Sequence, residues 1–445
     1  MTSISNSRSV FFHVLMLVSL LVVYRPLARA AEGEAKSNPP VSLPANPGVR
    51  WLTLVEAQKL ALDNNKSLSL ARLNVEEKGH AAAAARKDYF PKVIGSDTYF
   101  HFNDDLGSVV TFQRGRLGIL PPGSRIINAT VINQDSNLAA IMVGQPITKL
   151  IAVNAAVQLA RADQDVAQAQ LDKGTRELLS GVAQAYYGLL GAQRIEAVLE
   201  MQVSLLEQVL QAKPVPELRI GLVEIRQGLV QVRGQVQDLT HTLNDLLSLP
   251  PGTVLELVDP VPAELPVRSV EDAAQLALAS SPEVREAEQG IAKAEAAMKI
   301  ARMAYLPDVS VMGGYANQTS ASYIQPNIGF VGVTGSYTFF EWGKKRDIKR
   351  QRDLDMALAH QNLQVVTDKV QLDARKAYVA YDQAREAYRL SGDMVQARKE
   401  AEKAASGPAA MQAKADTSKA ELDRMKAEIE YRVAHAKLAG LFGQP

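Results

Sequence analysis

Apolar positions along this chain follow a helical period, then an alternating one, then a helical one again, and the whole succession occurs twice. Thr53 with Glu56 matches a capping box, and Ser269 with Asp272 stands at the equivalent place further on. From these caps, alanine-rich amphipathic stretches predict helices over 52–88 and 269–304, ended by Pro91 and Pro307. Beyond each proline the period becomes two. Ile94, Ser96, Thr98, Phe100 and Phe102 alternate with Val93, Gly95, Asp97, Tyr99 and His101, and the even set carries no charge beyond Lys92. One strand face therefore suits lipid and the other water, with His101 expected to line a barrel interior. Further strands are predicted at about 137–147, 308–318 and 327–340. The connection 104–136 reads as a long loop with Gly115, Gly118, Pro121, Pro122 and Gly123, whereas 319–326 is tight.

Each strand pair then feeds a long helical arm, 149–212 and 341–405, with no proline in either. These arms would each be about 96 to 98 Å long if continuous, a length of coiled coils and extended barrels rather than of compact domains. Pro214 and Pro216 break the first, and Gly407 and Pro408 the second. Returning helices are expected over 217–249 and 411–443, the first ended by Pro250-Pro251-Gly252.

The two successions superpose residue by residue. At an offset of 216, Leu60-Ala61-Leu62 falls on Leu276-Ala277-Leu278, Arg86 on Arg302, Tyr89 on Tyr305 and Pro91 on Pro307. Later the offset is 192, with Ala185-Tyr186 over Ala377-Tyr378 and Leu249 over Leu441. The change of 24 is one length difference, in the loop between the strands. A unit this long exceeds the period of a solenoid, so it reads as a duplicated half-domain. The repeats are assigned to 51–260 and 261–445. In each, the opening and returning helices stacked end to end match the long arm, 70 residues against 64 and 69 against 65. Four rods of equal length follow. The fold class is mainly α with a small β part: long helical hairpins forming an α-barrel, joined to a β-barrel with four strands per protomer.

Four strands cannot close a membrane barrel, and open edges in lipid leave N–H and C=O groups unpaired at several kcal/mol each. Copies must then share a barrel, and three protomers give twelve strands, an even number within the known range.

The first residues read as an address. Arg8 precedes the apolar run Val10–Val23, and Ala28-Arg29-Ala30 offers a cleavage site, so 1–30 is expected to be a signal peptide of an exported chain. Residues 31–50, with Pro39, Pro40, Pro44 and Pro47, read as an extended tail. Hydrophobic content of 47% suits a folded chain, but only 6% is aromatic and much of the rest is alanine, which favours close-packed long helices over a thick core. A net charge of +1 gives no field attracting nucleic acid. With no cysteine, disulfides, thiolate metal sites, a Cys nucleophile and a Cys-linked lipid anchor are excluded.

Candidate chemistry is sparse. Lys344, Lys345, Arg346, Lys349, Arg350 and Arg352 follow the last strand, where a barrel would leave the membrane. Cations at a helix N-terminus oppose its dipole, so the run reads as a contact for lipid phosphate or an acidic neighbour, or as a solvated face. Asp416, Glu421 and Asp423 after the second turn, and Glu217 and Glu224 after the first, are candidate tip-gate carboxylates or ordinary helix-start residues. His13, His80, His101, His241, His360 and His435 are scattered singly, with no metal-ligand spacing and no P-loop. Tyr186, Tyr187, Tyr378 and Tyr381 have spacing that suits packing between helices. No catalytic constellation, cofactor motif or metal site is found.

Leu54-Val55-Glu56-Ala57, the two Arg-x-x-Tyr-x-Pro copies at Arg86–Pro91 and Arg302–Pro307, Gln145-Pro146-Ile147, Ala183-Gln184-Ala185-Tyr186-Tyr187, Phe340-Glu341-Trp342-Gly343-Lys344 and Leu246-Leu247-Ser248-Leu249-Pro250-Pro251-Gly252 together resemble the TolC-like outer membrane efflux family. Their order is specific, although none is a chemical motif. The resemblance implies a homotrimeric outer-membrane duct extending into the periplasm. Its tip would dock a periplasmic adaptor (membrane fusion) protein and an inner-membrane transporter, for efflux or type I secretion. The turns depart from the family's Tyr-x-x-Gly and Asp-Val-Leu segments, reading Lys213-Pro214-Val215-Pro216-Glu217-Leu218 and Ser406-Gly407-Pro408-Ala409-Ala410. An exported coiled-coil spacer or adaptor without a pore is the alternative; it leaves the four alternating strands unexplained.

Overall fold

The structure, a computed structural model, describes residues 50–112, 125–212, 216–260, 264–321, 324–406 and 408–443. The expected signal segment 1–30, the tail up to residue 49, and Pro214 and Gly407 lie outside the described residues. The opening cap forms as a reciprocal box: the Glu56 N–H donates to Thr53 Oγ1 at 3.3 Å and the Thr53 N–H to Glu56 Oε2 at 3.0 Å. Ser269 accepts from the Asp272 N–H at 3.0 Å.

Each opening helix is two helices, not the single one the periodicity predicts. In the first repeat α1 (Leu54–Asn64) gives way to α2 (Lys66–Lys87). In the second, α5 (Val270–Ser280) gives way to α6 (Pro282–Met303). Asn65 and Ser281 are extended and cap the following helix through Leu68 N–H and Val284 N–H. At Ser281 the following proline disfavours helical backbone; Asn65 achieves the same break by its side chain alone. The break serves a joint. Asn65 Nδ2 donates to the Leu246 carbonyl at 3.4 Å, and Ser280 Oγ lies 3.3 Å from the Leu441 carbonyl. Those two carbonyls end the returning helices α4 (Pro216–Leu246) and α8 (Pro408–Leu441), where intrahelical partners run out. Opening and returning helices are thus stacked end to end in both repeats.

The long arms are α3 (Ile147–Ala212) and α7 (Lys344–Ala404), 66 and 61 residues. At 1.5 Å per residue they run about 99 and 92 Å. The returning helices start at Pro216 and Pro408 themselves, because a first-turn proline has no N–H to lose. Rod α3 packs on α2 and α6 and, further along, on α4 and α8; α7 packs on α5, α6 and α8. Small residues make this possible: Ala273, Ala277, Ala374 and Ala377 pack with Leu438 and Phe442. Ile195, Leu199 and Leu229 join α3 to α4, with Leu422, Met425 and Ile429 of α8 against them. Where α3 meets α8, a side chain at Gly191 would collide with Ile429.

One antiparallel sheet has the order β2 (Lys92–His101), β5 (Asp135–Pro146), β7 (Asp308–Gln318), β8 (Asn327–Ser336). The central β5–β7 ladder joins the repeats, and β2 and β8, ten residues each, are its free edges. The stretch expected as a long loop contains a second hairpin, β3 (Leu106–Phe112) with β4 (Arg125–Ile132), which extends the β2–β5 pair beyond the sheet. Part of the stretch that lengthens the first repeat is therefore strand, and 113–124 lie outside the described residues. A short parallel ladder of β1 (Arg50–Leu52) with β6 (Leu255–Leu257) also escapes sequence reading, since three residues carry no period.

Register shows which residues share a face. His101, Asp97 and Tyr99 share a face with Val93, Ile141, Val143, Val331 and Val333, all exposed aliphatic residues except at the polar far end. The odd set is thus apolar near the helices and polar at the hairpin end, and His101 belongs to that polar end. No helix among the described residues is long and apolar enough to cross a membrane.

Candidate functional site

Three regions of the rods and sheet carry the candidate function: the tip, the belt at the helix joints, and the base of the sheet. At the tip, each hairpin is held by ion pairs between its own two helices. Arg226 reaches Glu207 at 2.6 Å, and Arg233 reaches Glu196 at 3.1 Å and Glu200 at 2.6 Å. In the second hairpin, Arg398 meets Asp416 at 3.1 Å and Lys399 meets Glu421 at 2.8 Å. Gln412 Nε2 also donates to Asp416 at 3.1 Å. Asp416 and Glu421 are therefore brought together with cations of α7, and Asp423 lies 4.0 Å from Lys426 of its own helix. Glu217 and Glu224 are exposed and form no ion pair among the described residues. Pro216 and Pro408 open α4 and α8 beside the turns.

The belt is built by tyrosines that the sequence assigned only to packing, together with charged and aromatic residues that it did not single out. Tyr186 is fully buried on α3, with its hydroxyl 2.8 Å from the Leu52 carbonyl and 2.6 Å from the Val258 carbonyl, donating its one proton between them. Burial pushes this hydroxyl up to about 12, against the opposing effect of the Val258 bond. Tyr378, its counterpart at offset 192, donates to the Arg268 carbonyl at 2.8 Å. Arg268 is itself the counterpart of Leu52 at offset 216. Each long arm thus clamps the residue just before its own repeat's opening helix, and the recurring Ala-Tyr pair was the available signal. Asp259 gathers Arg432 and, at 2.6 Å, Arg194, while Arg432 also holds Glu428 at 2.6 Å. Burial would raise the Asp259 carboxyl, but the hydrogen bonds from Arg432 and Arg194 outweigh it and hold it below its ordinary range. Tyr381 joins Tyr431, His435 and, through Tyr431, Tyr388 in an aromatic column between α7 and α8.

At the base of the sheet the repeats differ. The first passes from β5 into α3 without a linker, and Lys149 pairs with Asp308 at 2.9 Å. In the second, Tyr337–Gly343, the counterpart of 145–151 at offset 192, is neither strand nor helix and α7 starts only at Lys344, with Trp342 and Gly343 both in the left-handed region. The predicted cations follow at once. Lys345 sits over the Tyr337 ring, 4.7 Å from its centre, and Arg346 meets Asp347 at 3.6 Å; Lys344, Lys349 and Arg350 make no ion pair among the described residues. At the far end of the sheet, His101 Nδ1 and the Tyr99 hydroxyl both meet Asp135 Oδ1, at 2.8 and 2.7 Å. Among the described residues no three His, Asp or Glu side chains converge as a metal site.

These features can be set beside known proteins. A model of the family described as outer membrane efflux protein matches residues 58–214 and 273–443, one segment in each repeat. Among solved structures, the outer-membrane channel OprN is 16% identical, with 88% of this chain and 90% of that one covered at a TM-score of 0.71. The open state of the Neisseria gonorrhoeae MtrE outer membrane channel is 17% identical over 88% and 89%, at 0.68. The Vibrio cholerae outer membrane protein VceC is 12% identical over 88% and 96%, at 0.67. A search of curated protein sequences finds no match.

Proposed function

The chain belongs to the outer membrane efflux protein family, and from that premise we propose that three copies of it form the passive exit duct of a tripartite efflux or type I secretion system. It is an outer-membrane channel protein extending into the periplasm, and its family is one of channels rather than enzymes. The observation that carries the trimeric reading is the sheet with two free edges of equal length, β2 and β8. Edges in lipid must be paired, and three such sheets pair edge to edge as twelve strands.

The rods support the same closure. α7 exposes Leu354, Leu358, Val365, Leu372 and Val379, whose heptad spacing marks a seam without its partner. On the opposite flank of the four rods, α2 and α4 expose Leu70, Leu73, Ile220, Val223 and Val230. A neighbouring copy brings one stripe against the other. Substrate then enters at the periplasmic tip from an adaptor and an inner-membrane transporter that supplies the energy, and leaves through the barrel.

Gating in this reading is untwisting of the turns around 213–217 and 406–411. The closed state is held by Arg398 on Asp416 and Lys399 on Glu421, with Glu217 and Glu224 as tip carboxylates of the first hairpin. Single-channel recordings in planar bilayers test this. Wild-type protein is expected to conduct little, and Asp416→Asn with Glu421→Gln to conduct more. Unchanged conductance in the double variant removes these two residues from the gate.

A further inference from the structure

The segment between β8 and α7 is neither strand nor helix, whereas its counterpart at offset 192, 145–151, is the end of β5 and the start of α3, and its side chains find little to do inside the chain. Phe339 and Trp342 are 91% and 88% exposed, far too open for core residues, and Phe340 packs edge-on against Trp342 at 4.7 Å. Between Glu341 and Arg352 the sequence carries six cations and two anions. Arg346, Lys349 and Arg350, at spacings of three and four, share one face of the first turns of α7. Five of these cations sit on the first two turns of a helix whose dipole repels them, and Gly343 offers no side-chain cap. An external anion is what relieves that repulsion.

The order along the chain identifies which anion. Val331 and Val333 of β8 form an exposed aliphatic band, the aromatic cluster comes next, and the cations come last. Aliphatic, aromatic, cationic is the succession met on leaving a bilayer through its headgroups. Because α7 leads into the periplasm, the headgroups are those of the periplasm-facing leaflet. We propose that Phe339, Phe340 and Trp342 anchor in that leaflet while Lys344, Arg346, Lys349 and Arg350 bind the phosphates of anionic phospholipids, once per protomer and only in the second repeat. The first repeat is the internal contrast, since Lys149 at its base is consumed by Asp308. The inference rests on the outer-membrane placement, which resistance of the protein to carbonate extraction checks separately.

The test uses purified full-length processed protein, stripped of lipid in detergent and offered phosphatidylglycerol or phosphatidylethanolamine, with native mass spectrometry counting what stays bound. Because clustered cations at a membrane surface favour anionic headgroups, the wild type should retain phosphatidylglycerol about tenfold or more over phosphatidylethanolamine. The variant Lys344→Gln, Arg346→Gln, Lys349→Gln, Arg350→Gln should fall to near parity. Exchanging each lysine for arginine and each arginine for lysine should keep the preference, while Phe339→Ser with Trp342→Ser should lower uptake of both lipids equally. Equal retention of the two lipids by the wild type overturns the proposal, whether or not the variants assemble. So does full displacement of phosphatidylglycerol by inorganic phosphate, which marks a site for a soluble anion instead.

Discussion

The two periplasmic hairpins share a backbone plan and have opposite electrostatics. In the first, the long arm carries the acids, Glu196, Glu200 and Glu207, and the returning helix carries the arginines, Arg226 and Arg233. In the second, the cations Arg398 and Lys399 are on the long arm and Asp416 and Glu421 on the returning helix. At offset 192, Glu207 falls on Lys399, an inversion at one site, and Glu224 falls on Asp416, with only the latter paired. Duplication therefore preserved register, joints and clamps, and left the tip free to diverge. A ring of three such chains has threefold tip chemistry, not sixfold, and two unlike grooves for a partner to read.

The strongest way to break the pseudo-equivalence is at the rod contacts. Gly191 lies where α3 meets α8 across the repeats, with no room for a methyl group, whereas Gly188 faces Leu239 of α4 at ordinary contact distance. Gly191→Ala should cost roughly 1–3 kcal/mol through overpacking, and Gly188→Ala should be tolerated. Thermal unfolding in detergent compares them, and equal effects would mean that the two seams are packed alike.

The tyrosine clamps come next. Tyr186→Phe takes the hydroxyl away from the Val258 carbonyl and from the Leu52 carbonyl, which keeps the Val258 N–H as a donor, and should cost roughly 1–2 kcal/mol. Tyr378→Phe, at a half-buried position open to water, should cost less. The first clamp also has a pH signature. Its folded value of about 12 exceeds the ordinary 10.0, so its stabilisation is complete below pH 10.0 and is lost as pH rises through about 12. The midpoint of Tyr186→Phe should fall less steeply than wild type over that window, and parallel curves would contradict the assignment.

The smallest effects belong to the hairpin ion pairs, which are exposed and screened by water. Arg233→Ala or Arg398→Ala should leave the thermal midpoint unmoved, while Arg398→Ala alone should raise conductance. A comparable conductance rise from Arg233→Ala would show that the first hairpin gates as well.

Much of this architecture is legible in the residues. The Thr53 cap, the helix-ending prolines and the alternation after Pro91 place the elements, and matched lengths foretell the stacked rods. The breaks at Asn65 and Ser281 were also written, as Ser281-Pro282 and its unprolinated counterpart, but continuous helical periodicity hides a one-residue interruption. The β3–β4 pair was hidden because the glycines and prolines of 115–123 make the whole stretch read as loop, and β1–β6 by its brevity. Strand facing is not settled by one strand's alternation, which does not say how four strands combine, and the odd face changes character along its length. Of the candidate site residues, the tip carboxylates are visible as charges, but their partners depend on which helix returns beside which, and that is a tertiary fact.

The central claim is that β2 and β8 find their partners in other copies of the same chain. Native mass spectrometry of the processed protein released from membranes in mild detergent tests it most directly. The account predicts a trimer as the smallest stable species. A monomer that remains folded and membrane-extractable would contradict it.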